Sequence, residues 1–117
     1  LLGVPVPEED VSKYGIIEKD ENNAFVQIVE KPSREEAPSN LNNASFYLFD
    51  KELFTLAETL PVNPERGEYE VTDAINAYVS QGKTIVVGEA KGQYLDAGNV
   101  EGWLRANNFI ASVQAIA

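Results

Sequence analysis

The chain has 117 residues, enough for one small domain with a modest core. Nine basic against nineteen acidic residues give a net charge of −10, which argues against a nucleic-acid-binding protein. Cysteine and histidine are absent, which excludes disulfides, thiolate and imidazole metal sites, cysteine nucleophiles and Ser-His-Asp triads. Any chemistry must therefore come from carboxylates, lysine, arginine, tyrosine and backbone amides.

The chain has no obvious membrane or export segment. No apolar run approaches the roughly 20 residues that a membrane helix requires. The first ten residues, LLGVPVPEED, lack the basic region of a signal peptide. We therefore expect a cytoplasmic protein. Because methionine is absent and the chain opens on the strand-like stretch LLGVPV, we also expect a piece of a longer protein.

The first predicted elements are strands. YGIIEKD and AFVQIVEK are rich in β-forming residues and flank ENN, whose asparagines suit a tight reversal, so together they predict a hairpin. A polar loop with two prolines follows. LNNASFYLFD then predicts a third strand that ends at Asp50.

The second part of the chain predicts helices and two more strands. KELFTLAETL has apolar residues at helical intervals and stops at Pro61. VTDAINAYVSQG predicts a helix that Thr72 caps and Gly82 ends. KTIVVGEA predicts a buried strand and GQYLDA a short one.

Residues 100–117 predict a closing helix, with Val100, Trp103, Leu104 and Ala111 on its inner face. The order of elements is hairpin, strand, helix, helix, strand, strand, helix. This order predicts one mixed α/β domain over residues 1–117, incomplete on its N-terminal side.

Two stretches suit the recognition of a sugar phosphate. In VEKP, residues 29 to 32, Glu30 suits sugar hydroxyls and Lys31 suits a phosphate, provided that the proline breaks the strand and turns both toward one site. The alternative is a solvated strand end. In NLNNASFY, residues 40 to 47, three asparagines accompany an aromatic strand, where asparagine is rare. Their amides suit hydroxyls, and the alternative is a turn.

Two further stretches leave the same choice open. In RGEYEVTDAI, residues 66 to 75, Arg66 is positioned to bind an anion and Glu68 to orient Arg66 or a ligand, unless both are surface charges. In YLDAGN, residues 94 to 99, Asp96 is either part of a turn or a metal-binding carboxylate at the end of a strand, where open α/β sheets bind their ligands.

Taken together and in order, these stretches resemble the sugar-1-phosphate nucleotidyltransferases. The likeness is greatest to glucose-1-phosphate thymidylyltransferases and to archaeal-type sugar-nucleotide pyrophosphorylases. It extends over about residues 14 to 109 and covers the second half of that family's catalytic domain. The motifs that carry it are YG at 14–15, VEKP at 29–32, SNLNNASFYLF at 39–49, RGEYEVTDAI at 66–75 and YLDAGN at 94–99.

The resemblance implies the sugar-binding half of a Rossmann-like nucleotidyltransferase domain. That family condenses a nucleoside triphosphate with a sugar 1-phosphate, giving a nucleotide sugar and pyrophosphate. Mg²⁺ and basic groups stabilise the charge that develops at phosphorus. For this protein the resemblance implies dTTP or UTP, glucose 1-phosphate, Mg²⁺ and a homo-oligomer in the full-length form.

The resemblance also implies roles for individual residues. Gly15 would approach the sugar closely through its backbone. Glu30 would hold sugar hydroxyls, and Lys31 would bind the sugar phosphate as a catalytic cation. Asn43 would contact the sugar, and Tyr47 would pack beneath Asn43.

Asp96 would be a catalytic carboxylate, one of two that hold Mg²⁺. The chain departs from the family pattern at Ser45, where glycine is usual, and it lacks the glycine-rich GxGTRxxPxT-type nucleotide loop. We therefore expect the 117-residue chain alone to be inactive. A non-catalytic sugar-phosphate-binding module and an oligomerisation module remain the alternatives.

Overall fold

A mixed five-stranded sheet forms the frame of the computed structural model, which describes residues 1–64 and 66–114. The strands lie in the order β3-β2-β4-β1-β5. Strand β1 pairs antiparallel with β4 and parallel with β5, while β2 pairs antiparallel with β3 and β4. The strands are β1 Leu2–Pro5, β2 Gly15–Lys19, β3 Phe25–Glu30, β4 Leu41–Phe46 and β5 Gly88–Glu89.

Helices complete the layers and confirm the predicted mixed α/β class. A 3-10 helix follows β1, two α-helices lie between β4 and β5, and a long helix closes the described chain. The bounds are Glu8–Lys13 for the 3-10 helix, Lys51–Ala57 for α1, Val71–Ser80 for α2 and Val100–Gln114 for α3. Within the described residues, none of these helices has the length and apolar character that crossing a membrane requires.

The core lies on both faces of the sheet because successive strand residues point in opposite directions. Ile17 of β2 and Leu41 of β4 pack on one face against Ile75 of α2. The neighbouring Ile16 packs on the other face against Val11 of the 3-10 helix. Both faces are therefore occupied near the centre of β2.

The predicted hairpin is confirmed, and the structure shows what fixes its turn. The Asp20 carboxylate accepts hydrogen bonds from the backbone N–H groups of Asn22 and Ala24, both at 2.8 Å. Asn23 has a φ of 62°, a conformation that asparagine tolerates better than most residues. These contacts bring β2 and β3 together in register.

Strand β4 is shorter than predicted. It ends at Phe46, and the pairing with β1 shifts between Leu2 and Gly3. Ser45 has a φ of 53° and lies in the irregular part of β4, between the positions that pair with Gly3 and Leu2. Asp50, predicted to end the strand, instead caps α1 by accepting a hydrogen bond of 3.1 Å from Leu53 N–H.

The strand predictions for residues 83–90 and 92–97 were partly wrong. KTIVVGEA contributes only Gly88–Glu89 to the sheet, together with one bridge between Val86 and Ala24. GQYLDA is not a strand. Gly92, at a φ of 130°, adopts a conformation that leaves the extended region and directs the chain into a loop.

The predicted end of the first helix and the predicted cap of the second also need correction. The first predicted helix stops at Ala57, before Pro61. Helix α2 begins at Val71, so Glu70 and not Thr72 occupies its cap position, without a capping side chain. Gly82 does follow the end of α2, with a φ of 80° that suits the residue after a helix.

The closing helix presents a different face from the one predicted. Val100, Trp103 and Leu104 are 76%, 56% and 49% exposed, and Ala111 is exposed as well. The helix instead buries Gly102, where a Cβ atom would overlap the Asp96 carbonyl oxygen. Because only glycine allows this approach, contact at Gly102 determines which side of α3 faces the rest of the protein.

A solvent-accessible hydrogen bond between the N-cap of α1 and helix α2 gives a prediction about how stability depends on pH. The Tyr78 hydroxyl donates to Asp50 Oδ2 at 2.7 Å, which lowers the pKa of Asp50 and raises that of Tyr78. Tyr78→Phe should lower the urea midpoint near pH 7. A lowered carboxyl pKa stabilises the fold above the ordinary value of 3.8, and this stabilisation is lost as the pH falls through the lowered folded-state value, so the gap should narrow below pH 3.8.

Tyr69→Phe is the matched control, since Tyr69 is exposed and takes no part in this contact. Urea denaturation of the three proteins across this pH range makes the measurement. A gap between Tyr78→Phe and the unchanged protein that does not narrow as the pH falls below 3.8 would contradict a contribution from Asp50 ionisation.

Candidate active site

A row of three residues crosses the sheet at the start of β2. Gly15 pairs with Glu30 of β3. On its other side Ile16 pairs with Asn42 of β4, so the next antiparallel position places Gly15 beside Asn43. Paired residues share a face, so Glu30 and Asn43 point to the same side of the sheet. We call Glu30, Gly15 and Asn43 the sheet row.

Gly15 is required where it lies because the Glu30 side chain covers it. A Cβ atom on Gly15 would stand 2.9 Å from Glu30 Oε1 and 3.0 Å from Ile28 Cγ2. Both distances are shorter than ordinary contacts, so a larger residue would displace the carboxylate. The absence of a side chain at Gly15 therefore positions Glu30.

Lys31 lies at the end of the sheet row. It follows the last residue of β3 and has a φ of 45°, so the regular strand ends there, as predicted from VEKP. Its backbone N–H donates to the Tyr14 carbonyl oxygen at 2.9 Å, which fastens the bend to the start of β2. Pro32 is buried after it. The exposed Lys31 side chain thus begins beside Glu30 and Gly15.

Asn43 makes a small hydrogen-bonded group with two residues that follow it. Its Nδ2 donates to Tyr47 Oη at 2.8 Å, and Tyr47 Oη donates to Asn43 Oδ1 at 3.1 Å. The Ser45 backbone N–H donates to the same Oδ1 at 3.2 Å. Tyr47 is therefore in direct contact with Asn43, while its place beneath a sugar-contacting Asn43 stays a prediction.

Asp96 lies in the turn that the sequence suggested. Its Oδ1 accepts a hydrogen bond of 2.8 Å from Gly98 N–H. Asn99 then caps α3 through its side chain, which accepts from Gly102 N–H at 2.8 Å. The Asp96 side chain remains exposed, so this turn does not bury its carboxylate. A role in the turn and a role in metal binding are compatible.

Asp96 lines a cleft of about 1090 Å³ between the start of the chain and α3. Tyr14 and Tyr94 contact each other edge to face in its wall, with ring centroids 5.4 Å apart. Burial raises the pKa of the Tyr14 hydroxyl, and the carboxylates of Asp96 and Asp10 raise it further. Asp96 is therefore close enough to Tyr14 to act on it electrostatically.

The predicted site residues form two groups. Gly15, Glu30 and Lys31 are adjacent, and Asn43 with Tyr47 lies beside them. Asp96 is in the cleft, whose lining includes none of those five. Tyr14 connects the two groups, because its carbonyl binds the Lys31 backbone and its ring contacts the cleft.

Two residues of RGEYEVTDAI behave differently from the sequence-based hypothesis. Arg66 Nε lies 3.2 Å from Glu70 Oε1, which is ion-pair distance without hydrogen-bond geometry. Glu68 is exposed and contributes only its backbone carbonyl, which accepts from Asn63 N–H. Glu70, not Glu68, is therefore the carboxylate beside Arg66.

The sequence singled out Asn42 only as one of the three asparagines of NLNNASFY, and it gave no role to the aromatic pair of the cleft. Asn42 is 2% exposed, and its Nδ2 has no hydrogen-bond partner within the described chain. The motif YG pointed to Tyr14, but nothing in the sequence indicated that Tyr94 would meet it. The register of β4 shows that Asn42 and Asn43 point to opposite faces of the sheet, and that Asn43 shares its face with Glu30.

The Gly102 contact predicts a large effect of a small substitution. Gly102→Ala places a methyl group against the Asp96 backbone, so α3 or the loop must shift. Overpacking of this kind costs about 1–3 kcal/mol. Chemical denaturation should show that loss, whereas Gly88→Ala, whose Cβ would meet Leu2 Cδ1 at an ordinary 3.5 Å, should cost much less. Equal midpoints for the two variants would contradict the contact.

Comparison with known proteins identifies the family. Residues 1–113 match the family described as Nucleotidyl transferase. A Methanocaldococcus jannaschii protein named putative UTP–glucose-1-phosphate uridylyltransferase is 41% identical over 107 residues, covering 87% of this chain and 37% of that protein. A Methanococcus maripaludis protein named bifunctional protein GlmU is 39% identical over 95 residues, covering 81% of this chain and 23% of that protein.

The fold agrees with the sequence match. The solved structure of UTP-bound UGPase from Acinetobacter baumannii has a TM-score of 0.75 and 31% identity, covering 91% of this chain and 37% of that chain. This chain thus spans 23–37% of the length of these three relatives. None of their names specifies a thymidylyltransferase. The family match over residues 1–113 confirms the resemblance: this chain belongs to the nucleotidyl transferase family.

Proposed function

We propose that this chain forms the sugar-1-phosphate-binding part of an enzyme that condenses a nucleoside triphosphate with a sugar 1-phosphate, releasing pyrophosphate. The observation that carries the proposal is the sheet row, in which the carboxylate of Glu30 lies over Gly15 and the amide of Asn43 occupies the neighbouring position on β4. Neighbouring strands are about 4.8 Å apart, so the outer α-carbons are roughly 10 Å apart. That spacing suits one pyranose ring.

Lys31 extends this site from sugar to phosphate. The bend after β3 starts its side chain beside Glu30, on the exposed end of the row. A lysine ammonium is a mobile point charge that matches a phosphate monoester. The row and Lys31 together offer groups for both parts of a sugar 1-phosphate.

In the proposed reaction, the sugar-phosphate oxygen attacks the α-phosphorus of the triphosphate in line. Glu30 and Asn43 orient the sugar, while Lys31 holds its phosphate and offsets negative charge in the transition state. When bound, Mg²⁺ would supply further charge neutralisation at the phosphates. Catalysis by positioning and electrostatics requires neither cysteine nor histidine, both of which the chain lacks.

Asp96 fits a Mg²⁺ ligand in its chemistry. It is a hard oxygen donor on an exposed turn, and Gly98 N–H occupies only Oδ1. Among residues 1–64 and 66–114, no three acidic side chains converge on a metal position. We therefore propose that phosphates, waters and a carboxylate beyond these residues complete the coordination, which is usual for Mg²⁺.

The names of the relatives favour glucose 1-phosphate and UTP as substrates, with dTTP as the alternative nucleotide. The test is pyrophosphate release by the full-length protein with glucose 1-phosphate and each triphosphate in the presence of Mg²⁺. Release that requires both substrates supports the proposal. Binding of glucose 1-phosphate without turnover would favour a non-catalytic sugar-phosphate-binding module, and no binding would favour an oligomerisation module.

A further inference from the structure

We propose that Ser45 and Tyr47 fix the side-chain amide of Asn43 so that it offers the sugar a hydrogen-bond donor and no acceptor. Tyr47 is then a positioning residue that acts through Asn43. The inference rests on the proposed function and specifies the chemistry of the same site. It assigns the class of group that Asn43 takes: an oxygen of the pyranose that accepts a hydrogen bond.

Ser45 decides which end of the amide is the oxygen. A backbone N–H can only donate, so the Asn43 atom that lies 3.2 Å from Ser45 N must be the acceptor, Oδ1. This is the geometry of an Asx turn, in which an asparagine side chain binds the backbone two residues later. The φ of 53° at Ser45 belongs to the same tight turn, which ends β4.

Tyr47 completes the orientation. Its hydroxyl donates to Asn43 Oδ1 and accepts from Nδ2, at 3.1 and 2.8 Å. Its ring stacks on Phe49, with centroids 5.2 Å apart and an interplanar angle of 12°, and it packs against the core. A ring held in this way gives the hydroxyl little freedom to move.

These contacts satisfy nearly all of the hydrogen-bonding groups of the Asn43 amide. Oδ1 accepts two hydrogen bonds, which fills its two lone pairs. Nδ2 donates one of its two protons to Tyr47 Oη, and the described part of the chain provides no acceptor for the other. The free proton is what Asn43 presents on the face that it shares with Gly15.

The two ends of the sheet row consequently differ in hydrogen-bonding role: one end accepts and the other donates. Glu30 is an acceptor when ionised, so a hydroxyl beside it must donate. Asn43 donates, so the oxygen beside it must accept. A pyranose that spans Gly15 must therefore donate a hydrogen bond on the Glu30 side and accept one on the Asn43 side, and this requirement fixes its orientation on the row.

The experiment compares glucose 1-phosphate with its monodeoxy and monodeoxyfluoro analogues, using calorimetric or NMR titration of the full-length protein. Fluorine accepts weakly but cannot donate, whereas a deoxy position does neither. At the position that faces Asn43, we expect the deoxy analogue to bind about three- to tenfold more weakly, with partial recovery for the fluoro analogue.

Three variants test the assignment. Asn43→Asp keeps the acceptor for Ser45 N–H and Tyr47 but loses the donor, so the partial recovery of the fluoro analogue over the deoxy analogue should disappear, because fluorine cannot donate to a carboxylate. Its new charge repels the phosphate of every analogue equally and cancels in the comparison. Tyr47→Phe should reduce the deoxy penalty by freeing the amide. Tyr69→Phe, at an exposed tyrosine outside the row, should leave the penalty unchanged.

The outcomes separate this inference from the proposed function. A fluoro recovery that survives in Asn43→Asp, or a deoxy penalty that fails to change in Tyr47→Phe, overturns the inference while sugar-phosphate binding stands. Equal binding of all analogues by the unchanged chain overturns it too. No binding of any analogue overturns both the inference and the proposed function.

Discussion

Replacing Asp96 with asparagine is expected to remove most nucleotidyl transfer from the complete enzyme while leaving the fold intact. The amide still accepts a hydrogen bond, so the contact with Gly98 N–H that forms the turn persists. What disappears is the negative charge that a magnesium ion requires of its ligand. The substitution therefore separates the two roles that the sequence left open for Asp96.

The measurement is steady-state pyrophosphate release over a range of Mg²⁺ concentrations. A lost metal ligand should appear as a lower kcat that additional Mg²⁺ restores only in part. Asp10→Asn is the matched control, because Asp10 lines the same cleft and undergoes the same chemical change. If Asp96→Asn shows unaltered kinetics, Asp96 has only its role in the turn.

The second large effect is expected at Lys31. Lys31→Ala should weaken the use of sugar 1-phosphate far more than binding of the triphosphate. A hydrogen bond to a charged group contributes about 1.5–3 kcal/mol, which corresponds to a loss on the order of tenfold to a hundredfold in apparent affinity. Lys91→Ala removes an exposed lysine outside the sheet row and is the control.

Glu30→Gln should behave differently from Lys31→Ala. The amide retains some hydrogen bonding to hydroxyls but loses the anionic acceptor above Gly15. Its effect should therefore vary with the sugar offered, because Glu30 contacts hydroxyls and not the phosphate common to all sugar 1-phosphates. If both residues are merely solvated, each change should cost under about half a kcal/mol in stability.

The decisive quantity is the apparent affinity for glucose 1-phosphate with the triphosphate saturating. Agreement of both variants with the unchanged enzyme within about twofold would remove the sugar-phosphate role from VEKP. A loss confined to Lys31→Ala would retain the phosphate contact and reassign the hydroxyl contact.

Local features of the fold were predictable from the sequence where a short-range cause determined them. The β2–β3 hairpin follows from two strand-forming runs around an Asn-containing turn, and that turn sets the register that brings Gly15 to Glu30. The bend at Lys31 follows from the proline after it. These are interactions between near neighbours, which a sequence displays directly.

Other features depended on packing at a distance. The periodicity of residues 100–117 shows which side chains share a face, but the contact between Gly102 and the Asp96 carbonyl decides which way α3 turns. A positive φ at Ser45 accompanies the irregular pairing of β4 with β1, although serine seldom adopts that conformation. The meeting of Tyr14 with Tyr94 joins residues 80 positions apart, and no local pattern encodes it.

The outward apolar face of α3 has a consequence for handling the isolated chain. Trp103, Leu104 and Ile110 form an exposed apolar surface that favours self-association. The net charge of −10 opposes it, because copies of the chain repel one another. This repulsion weakens as salt shortens the screening length and vanishes near the isoelectric point of about 4.3. Colloidal stability should therefore be greatest in neutral buffers of low ionic strength, and acid or salt should bring the helices together.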